Sequence, residues 1–232
     1  MKCLVMIPLY NEAETINSVI QELCIHHQGD VLIIDDGSTD NSTELLNDCV
    51  KKKLTLITHV ENQGYGATIS EGFRYAIENN YDVIITMDCD FQHEPKNIPE
   101  FIKQIESYDI VSGSRYLLKS KEQDDAPKDR AAINKTITKR IIEITGYDIT
   151  DAFCGFKAYK TTALKKLSTK STGYAMPLQL WIQAWKQDLT VKEIPVPRIY
   201  KNLNRSFGEE LDNPETRLKY YNNVIDKELN EN

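Results

Sequence analysis

The sequence predicts an α/β fold: a mostly parallel central sheet with helices on both faces, followed by a C-terminal amphipathic helix. Short runs rich in Val and Ile alternate with segments of helical period. The runs are brief and mostly apolar, of the kind expected for strands buried on both faces. Polar residues gather where the runs end, the edge at which such sheets bind ligands.

The predicted strands are Leu4 to Ile7, Val31 to Ile34, Leu54 to Thr58, Val83 to Met87 and Ile110 to Ser112, each read as central. Between them lie Glu12 to Leu23, with Ile16, Val19, Ile20 and Leu23 on one face, and Thr43 to Val50. Tyr65 to Glu78 repeats Ile69, Phe73, Ala76 and Ile77, and Ile98 to Glu106 follows the fourth strand. Beyond Tyr116 the rhythm changes. Lys119 to Lys128 is polar, contains Pro127 and reads as an exposed loop. Helices are predicted over Asp129 to Thr145, with Ile133, Ile137, Ile141, Ile142 and Ile144 as its stripe, and over Pro177 to Lys186. At the C-terminus Asn213 can cap and Pro214 suits the first helical position, while Leu218, Tyr221, Val224, Ile225 and Leu229 recur at helical spacing. Residues 1–210 are expected to form one domain and 211–232 a helical tail.

Composition excludes several classes. The 232 residues are 41% hydrophobic and 27% charged, a globular profile. With 28 Lys and Arg against 35 Asp and Glu the net charge is −7, and the only tight basic run is Lys51 to Lys53, which argues against nucleic acid. The apolar stretch Cys3 to Leu9 is too short to span a bilayer and lacks a small-residue cleavage site. Five cysteines, Cys3, Cys24, Cys49, Cys89 and Cys154, without C-x-x-C spacing read as reduced thiols of a cytosolic protein.

Four strand ends carry polar constellations. The first strand runs into Pro8-Leu9-Tyr10-Asn11-Glu12 and the second into Asp35-Asp36-Gly37-Ser38-Thr39-Asp40. Glu12 and Asp36 at that edge can hydrogen-bond a base or ribose, and an aromatic ring can stack on it. A capped turn explains Asp-Gly-Ser-Thr-Asp equally well. Asn62-Gln63-Gly64-Tyr65-Gly66-Ala67 either exposes helix amides to an anion or is a plain tight turn. The sharpest signal is Met87-Asp88-Cys89-Asp90-Phe91-Gln92-His93-Glu94-Pro95. In extended chain Asp88, Asp90 and Gln92 share a face and Cys89 turns away. Hard oxygen ligands favour Mg²⁺ or Mn²⁺ completed by substrate phosphates, and repulsion between two carboxylates at a buried strand end favours that reading over a solvated loop. His93 reads as a supporting residue.

Taken in order, I-P-x-Y-N-E at Ile7 to Glu12, D-D-G-S-T-D at Asp35 to Asp40, N-x-G-x-G-A at Asn62 to Ala67, D-x-D-x-Q-H-x-P at Asp88 to Pro95 and G-S-R-Y at Gly113 to Tyr116 resemble glycosyltransferase family two with the GT-A fold. Within it the likeness is to the dolichyl-phosphate (polyprenyl-phosphate) mannose synthase group, over residues 2 to 210. The resemblance implies that Pro8, Tyr10, Glu12 and Asp36, with Asp88 and Cys89, hold the nucleotide of a nucleotide-sugar, and that Asp88, Asp90 and Gln92 hold Mg²⁺ or Mn²⁺ and its diphosphate. It makes Asp90, Arg115 and Arg130 the catalytic residues, and Arg115, Arg130, Asn134 and Arg205 the acceptor-phosphate ligands. Asn134 stands where the family usually has Ser, and Asn204 to Glu210 lacks the family's Ser-Lys. Asp151, before Phe153 to Lys157, reads either as facing the acceptor or as structural. Many members append transmembrane helices, and no such segment is expected here.

The implied reaction is inverting transfer of a hexose, with GDP-mannose the first donor, to a polyprenyl or dolichyl phosphate. A phosphate monoester is largely a dianion at neutral pH, so no strong base is required. Alternatives are UDP-glucose or UDP-N-acetylglucosamine with a glycan hydroxyl acceptor, which needs a base such as Asp151, and a non-catalytic nucleotide-binding subunit. An NAD-dependent oxidoreductase would need glycines where Tyr10-Asn11-Glu12 stand. The expected location is cytoplasmic, with peripheral contact at the membrane face or a membrane-anchored partner subunit as ways to reach a lipid acceptor.

Overall fold

The computed structural model describes residues 1–44, 54–118, 126–199 and 209–231. In chain order its elements are β1 (Cys3–Leu9), α1 (Ile16–His26), β2 (Asp30–Asp35), β3 (Leu54–Thr58), α2 (Tyr65–Glu78), β4 (Val83–Thr86), α3 (Ile98–Gln104), β5 (Ile110–Ser114), α4 (Lys128–Thr145), β6 (Lys157–Lys160), α5 (Thr161–Leu164), α6 (Met176–Lys186), β7 (Val191–Pro195) and α7 (Pro214–Asn230). The predicted helix from Thr43 to Val50 falls largely outside the described residues, as do Lys51 to Lys53, Cys49, Arg205 and most of the Lys119 to Lys128 loop.

Seven strands form one sheet in the order β3-β2-β1-β4-β6-β5-β7. All neighbours are parallel except the two pairs made by β6, which runs antiparallel between β4 and β5. The sheet is mostly parallel, as predicted. Because β6 reverses twice, β5 keeps the direction of β4. The C-terminal ends of β1, β2, β4 and β5 therefore open on one edge, and the N-terminal end of β6 meets them there.

Strand period divides the core into two layers. Val5, Ile7, Val31, Ile33 and Ile85 pack with Ile16, Val19, Ile20 and Leu23 of α1 and with Ile98 and Phe101 of α3. Leu4, Met6, Leu32, Ile34 and Ile84 pack on the opposite face with Ile69, Phe73 and Ala76 of α2. A third cluster joins Ile133, Ile137 and Ile141 of α4 to Trp181 and Ile182 of α6 and to Tyr221 and Ile225 of α7.

Several expectations are corrected. The run Leu54 to Thr58 is an edge strand with Leu56 41% exposed, because β2 pairs with it on one side only. Strands β6 and β7 lie beyond Tyr116, where none was expected. Helix α1 begins at Ile16, since the amides of Thr15 and Ile16 both donate to the Glu12 carbonyl and close a turn first. Ile142 leaves the α4 stripe for the surface. That helix ends at Gly146, whose φ of 70° supplies the left-handed stop while its amide donates to the Ile142 carbonyl. At α7 the Asn213 side chain accepts from the amides of Glu215 and Thr216, the predicted cap. Among the described residues no helix is long and apolar enough to cross a membrane.

Candidate active site

The first two strand-end turns are stitched to each other. Asn11, at φ 54°, accepts through Oδ1 from the amides of Thr39 at 2.8 Å and Asp40 at 3.3 Å. In return Asp40 accepts from the Ala13 amide and Ser42 Oγ accepts from the Glu12 amide. Glu12 is thereby fixed before the helix begins, and Tyr10 remains exposed beside it.

Asp36 is only 4% exposed and is held by three donors: the Gln63 amide at 2.8 Å, the Gly64 amide at 2.9 Å and His59 Nδ1 at 2.7 Å. It therefore pins the β3–α2 turn and presents only an edge of its carboxylate. His59 bridges to Glu71 at 2.5 Å through Nε2. Burial disfavours its imidazolium, but the hydrogen bonds and charges of Glu71 and Asp36 prevail and raise its pKa above the ordinary histidine value. Sequence reasoning missed His59, although it directly follows Thr58 at a strand end.

The glycines of the next turn have a defined use. A side chain at Gly66 would lie 2.2 Å from the Ser171 carbonyl, and one at Gly64 would lie 2.6 Å from that of Thr172. The Gly66 amide donates to the Thr172 carbonyl at 2.7 Å and the Ala67 amide does so at 3.3 Å. Close backbone approach is thus the reason for the glycines, and these two amides at the start of α2 face a carbonyl.

After β4 the chain turns sharply, with Phe91 at φ 62°. Asp90 accepts from the Gln92 amide at 3.1 Å and from Gln92 Nε2 at 2.9 Å, so Gln92 braces both its oxygens. Asp88 lies 3.5 Å from the Tyr65 hydroxyl, and a side chain at Gly155 would come within 2.8 Å of both groups. Cys89 turns into the core and its thiol donates to the Pro8 carbonyl, which ties this turn to the one after β1. Any contact of Cys89 with a nucleotide is through its backbone. His93 is buried and stacks on Phe156, and its Nδ1 accepts from the Asp88 amide at 2.9 Å. Burial pushes its pKa down to about 4, so the imidazole is neutral and its approach to the Asp88 carboxylate is not an ion pair.

Among the described residues no three His, Cys, Asp or Glu side chains are grouped to enclose a metal ion. Mg²⁺ and Mn²⁺ need no such cage, because one or two carboxylates and the phosphates of a substrate suffice. Asp88 and Asp90, two hard carboxylates on one short turn at the ligand edge, fit that donor set.

A second constellation surrounds Asp151, which is 0% exposed. It accepts from Arg115 Nε at 2.7 Å, Nη2 at 2.9 Å and the Arg115 amide at 3.2 Å, from Asn134 Nδ2 at 2.7 Å and from the Phe153 amide at 3.2 Å. Burial alone would raise its pKa, but the Arg115 guanidinium, the Asn134 amide and the Lys157 charge hold it well below the usual carboxylate range. Asn134 also accepts from the Thr138 hydroxyl, so both ends of its side chain are committed inside the protein. Asn134 thus touches Asp151 directly, on the carboxylate that Arg115 also holds. Arg130 stands one helical turn before Asn134 on α4 and shares its face. Glu193 of β7 completes the frame by accepting from the amides of Thr150 at 2.7 Å and Asp151 at 3.0 Å.

The family model described as Glycosyl transferase family 2 matches residues 4–168. The UDP-N-acetylglucosamine–dolichyl-phosphate N-acetylglucosaminyltransferase of Methanococcus voltae is 29% identical, over 88% of this chain and 88% of that protein. The undecaprenyl-phosphate mannosyltransferase of Micrococcus luteus is 26% identical, over 89% of this chain and 87% of that one. The crystal structure of glucosyl-3-phosphoglycerate synthase from Mycobacterium tuberculosis with Mn²⁺, UDP and phosphoglyceric acid superposes with a TM-score of 0.76 at 15% identity, covering 100% of this chain and 79% of that one. With its turns at the carboxyl edge of a GT-A sheet, the chain belongs to glycosyltransferase family 2.

Proposed function

We propose that the protein is an inverting, metal-dependent glycosyltransferase that moves a hexose from a nucleoside-diphosphate sugar to a polyprenyl or dolichyl phosphate. The observation that carries this reading is the state of Asp151. A hydroxyl acceptor must lose a proton, yet the carboxylate beside Arg115 is buried, charged and surrounded by five N–H donors, so it makes a poor base. A phosphate monoester, with its second pKa at about 6, arrives already largely deprotonated at neutral pH. The names of the relatives in Methanococcus and Micrococcus point to the same acceptor class.

In this reading Pro8, Tyr10, Glu12 and Asp36, with Asp88 and the backbone of Cys89, hold the nucleotide. Asp88, Asp90 and Gln92 hold Mg²⁺ or Mn²⁺, and the bound ion supplies Lewis-acid stabilisation of the leaving diphosphate. Arg115 and Arg130 hold the acceptor phosphate in line with the anomeric carbon and offset its repulsion from the donor. Arg205, outside the described residues, is assigned to the same phosphate. GDP-mannose is the first donor to try. UDP-N-acetylglucosamine is the second, because the relative in Methanococcus, at 29% identity, is named for it. Catalysis is placed on the cytoplasmic face of a membrane. With a net charge of −7, recruitment there depends on the acceptor, an apolar surface or a partner subunit.

The test is a panel of nucleotide-sugars with a polyprenyl phosphate and either ion, scored for lipid-linked product. One donor giving lipid-linked sugar is expected, and transfer only to a sugar hydroxyl would overturn the reading.

A further inference from the structure

The C-terminal helix reaches the donor side of the site through a connected set of hydrogen bonds and one ring stack. Glu228 of α7 is buried, and its two carboxylate oxygens accept from two amides of α6: Gln179 Nε2 at 2.6 Å and Gln183 Nε2 at 2.8 Å. Both glutamines turn their oxygens toward the segment before α6. Gln179 Oε1 accepts from the amides of Lys170 at 2.8 Å and Ser171 at 3.1 Å, and Gln183 Oε1 accepts from the Ser168 amide at 2.7 Å. The next carbonyl, that of Thr172, receives the Gly66 and Ala67 amides of α2. Tyr174 stacks on Tyr65 with centroids 5.8 Å apart, and the Tyr65 hydroxyl stands beside Asp88.

A carboxylate only accepts, so it holds an N–H of each glutamine toward α7 with C=O toward the backbone amides of residues 168–171, and the Gln183 amide nitrogen donates in addition to the Ser168 carbonyl at 2.7 Å. We propose that Glu228 is a positioning residue for the donor site, holding the 168–172 segment against α2 and so setting Tyr65 and Asp88. The inference rests on the reading that Asp88 serves the nucleotide-sugar.

Replacing Glu228 by its amide changes little in shape but presents an NH₂ to one of the glutamine NH₂ groups. One strut must flip and point a donor at backbone donors. E228Q is therefore expected to raise the KM for the nucleotide-sugar roughly fivefold or more, the scale of one mismatched buried hydrogen bond, with the KM for acceptor unchanged. Adding Q179E to E228Q restores complementarity, because the new carboxylate accepts from the substituted amide and from the Lys170 and Ser171 amides together. The double variant is expected to recover wild-type KM. R140A is the control: it cuts a different attachment of α7, where Arg140 donates to Asn222 and Asp226, and is expected to lower Tm without moving donor KM.

A lower Tm for E228Q with unchanged donor KM would overturn the proposal, as would equal KM changes in E228Q and R140A or no recovery in the double variant. Should E228Q not fold, Q183M removes one strut and carries the same test, and an unchanged donor KM there overturns it. Failure of the underlying reading has a separate signature, namely no turnover of any nucleotide-sugar by the unaltered protein.

Discussion

Replacing Asp151 by Asn separates a positioning carboxylate from a base. In the native protein Asp151 is wholly buried, and Arg115, 13% exposed at its side chain, grips it through Nε and Nη2. The substitution removes one partner of this pair and puts an NH₂ among groups that all donate. Breaking a buried pair from one side costs about 3–5 kcal/mol, and the partial exposure of Arg115 places this case near the lower end, at about 3 kcal/mol. For a chain of this size that is a fall in Tm of about 6–12 °C. The pair's contribution is complete above the ordinary aspartate pKa and is lost as pH falls toward the depressed native value. Urea unfolding gives the stability, and steady-state kinetics of the folded variant give the role. A raised KM for the acceptor phosphate is expected, with the pH dependence of kcat unmoved. Wild-type stability in D151N would refute the buried pair, and selective loss of the acidic limb of the kcat profile would restore Asp151 as a base.

His93 and His59 act on opposite sides of neutrality. His93 is neutral in the native state with its pKa pushed down to about 4, so between about pH 6.5 and 4 the unfolded chain binds more protons and stability falls with pH, by up to about 3 kcal/mol. Urea midpoints at pH 7 and pH 5 check this, and H93N is expected to flatten the difference. His59 has a raised pKa, so its grip on Asp36 and Glu71 is full below the ordinary histidine value and is lost as pH rises through the native one. H59Q is expected to remove that alkaline loss, seen as equal thermal midpoints on the two sides of the native pKa. G66A pushes a methyl against the Ser171 carbonyl, at 2.2 Å, and is expected to cost about 1–3 kcal/mol in urea unfolding. D90A is expected to abolish transfer through loss of the metal, while near-normal activity with the metal still required would reject that role.

What the sequence reveals depends on whether the signal is local. Helix α2 spans the predicted Tyr65 to Glu78, and the Asn213 cap with Pro214 marks the start of α7, because periodicity and capping are written within a few residues. Strand β6 is four residues, Lys-Ala-Tyr-Lys, with Lys157 buried. The ammonium donates to the Cys154 carbonyl three residues back and lies over the Trp181 ring of α6, and that ring is a partner no local pattern announces. The apolar run at β3 looks central because an apolar run does not announce a missing neighbour. At the site, Asp88 and Asp90 are legible as polar residues where a strand ends, and Arg115 only through the family resemblance that Gly113 to Tyr116 helps to carry. The occupation of Asp36 by His59 and two amides, and of Asp151 by five donors, is not legible, because all of those donors except the Phe153 amide lie far along the chain. The glycines at 64 and 66 illustrate the same limit: the need for close approach is readable, and the carbonyl that approaches is not.

The most direct measurement compares two acceptors that differ in one group. The purified protein, Mg²⁺ or Mn²⁺ and the active nucleotide-sugar are incubated with a polyprenyl phosphate or with the corresponding polyprenol, and products are identified by mass. Sugar joined to the phosphate lipid alone, with the polyprenol inert, is the predicted result. Product on the polyprenol hydroxyl, or transfer to a glycan hydroxyl with the phosphate lipid unchanged, would contradict the account.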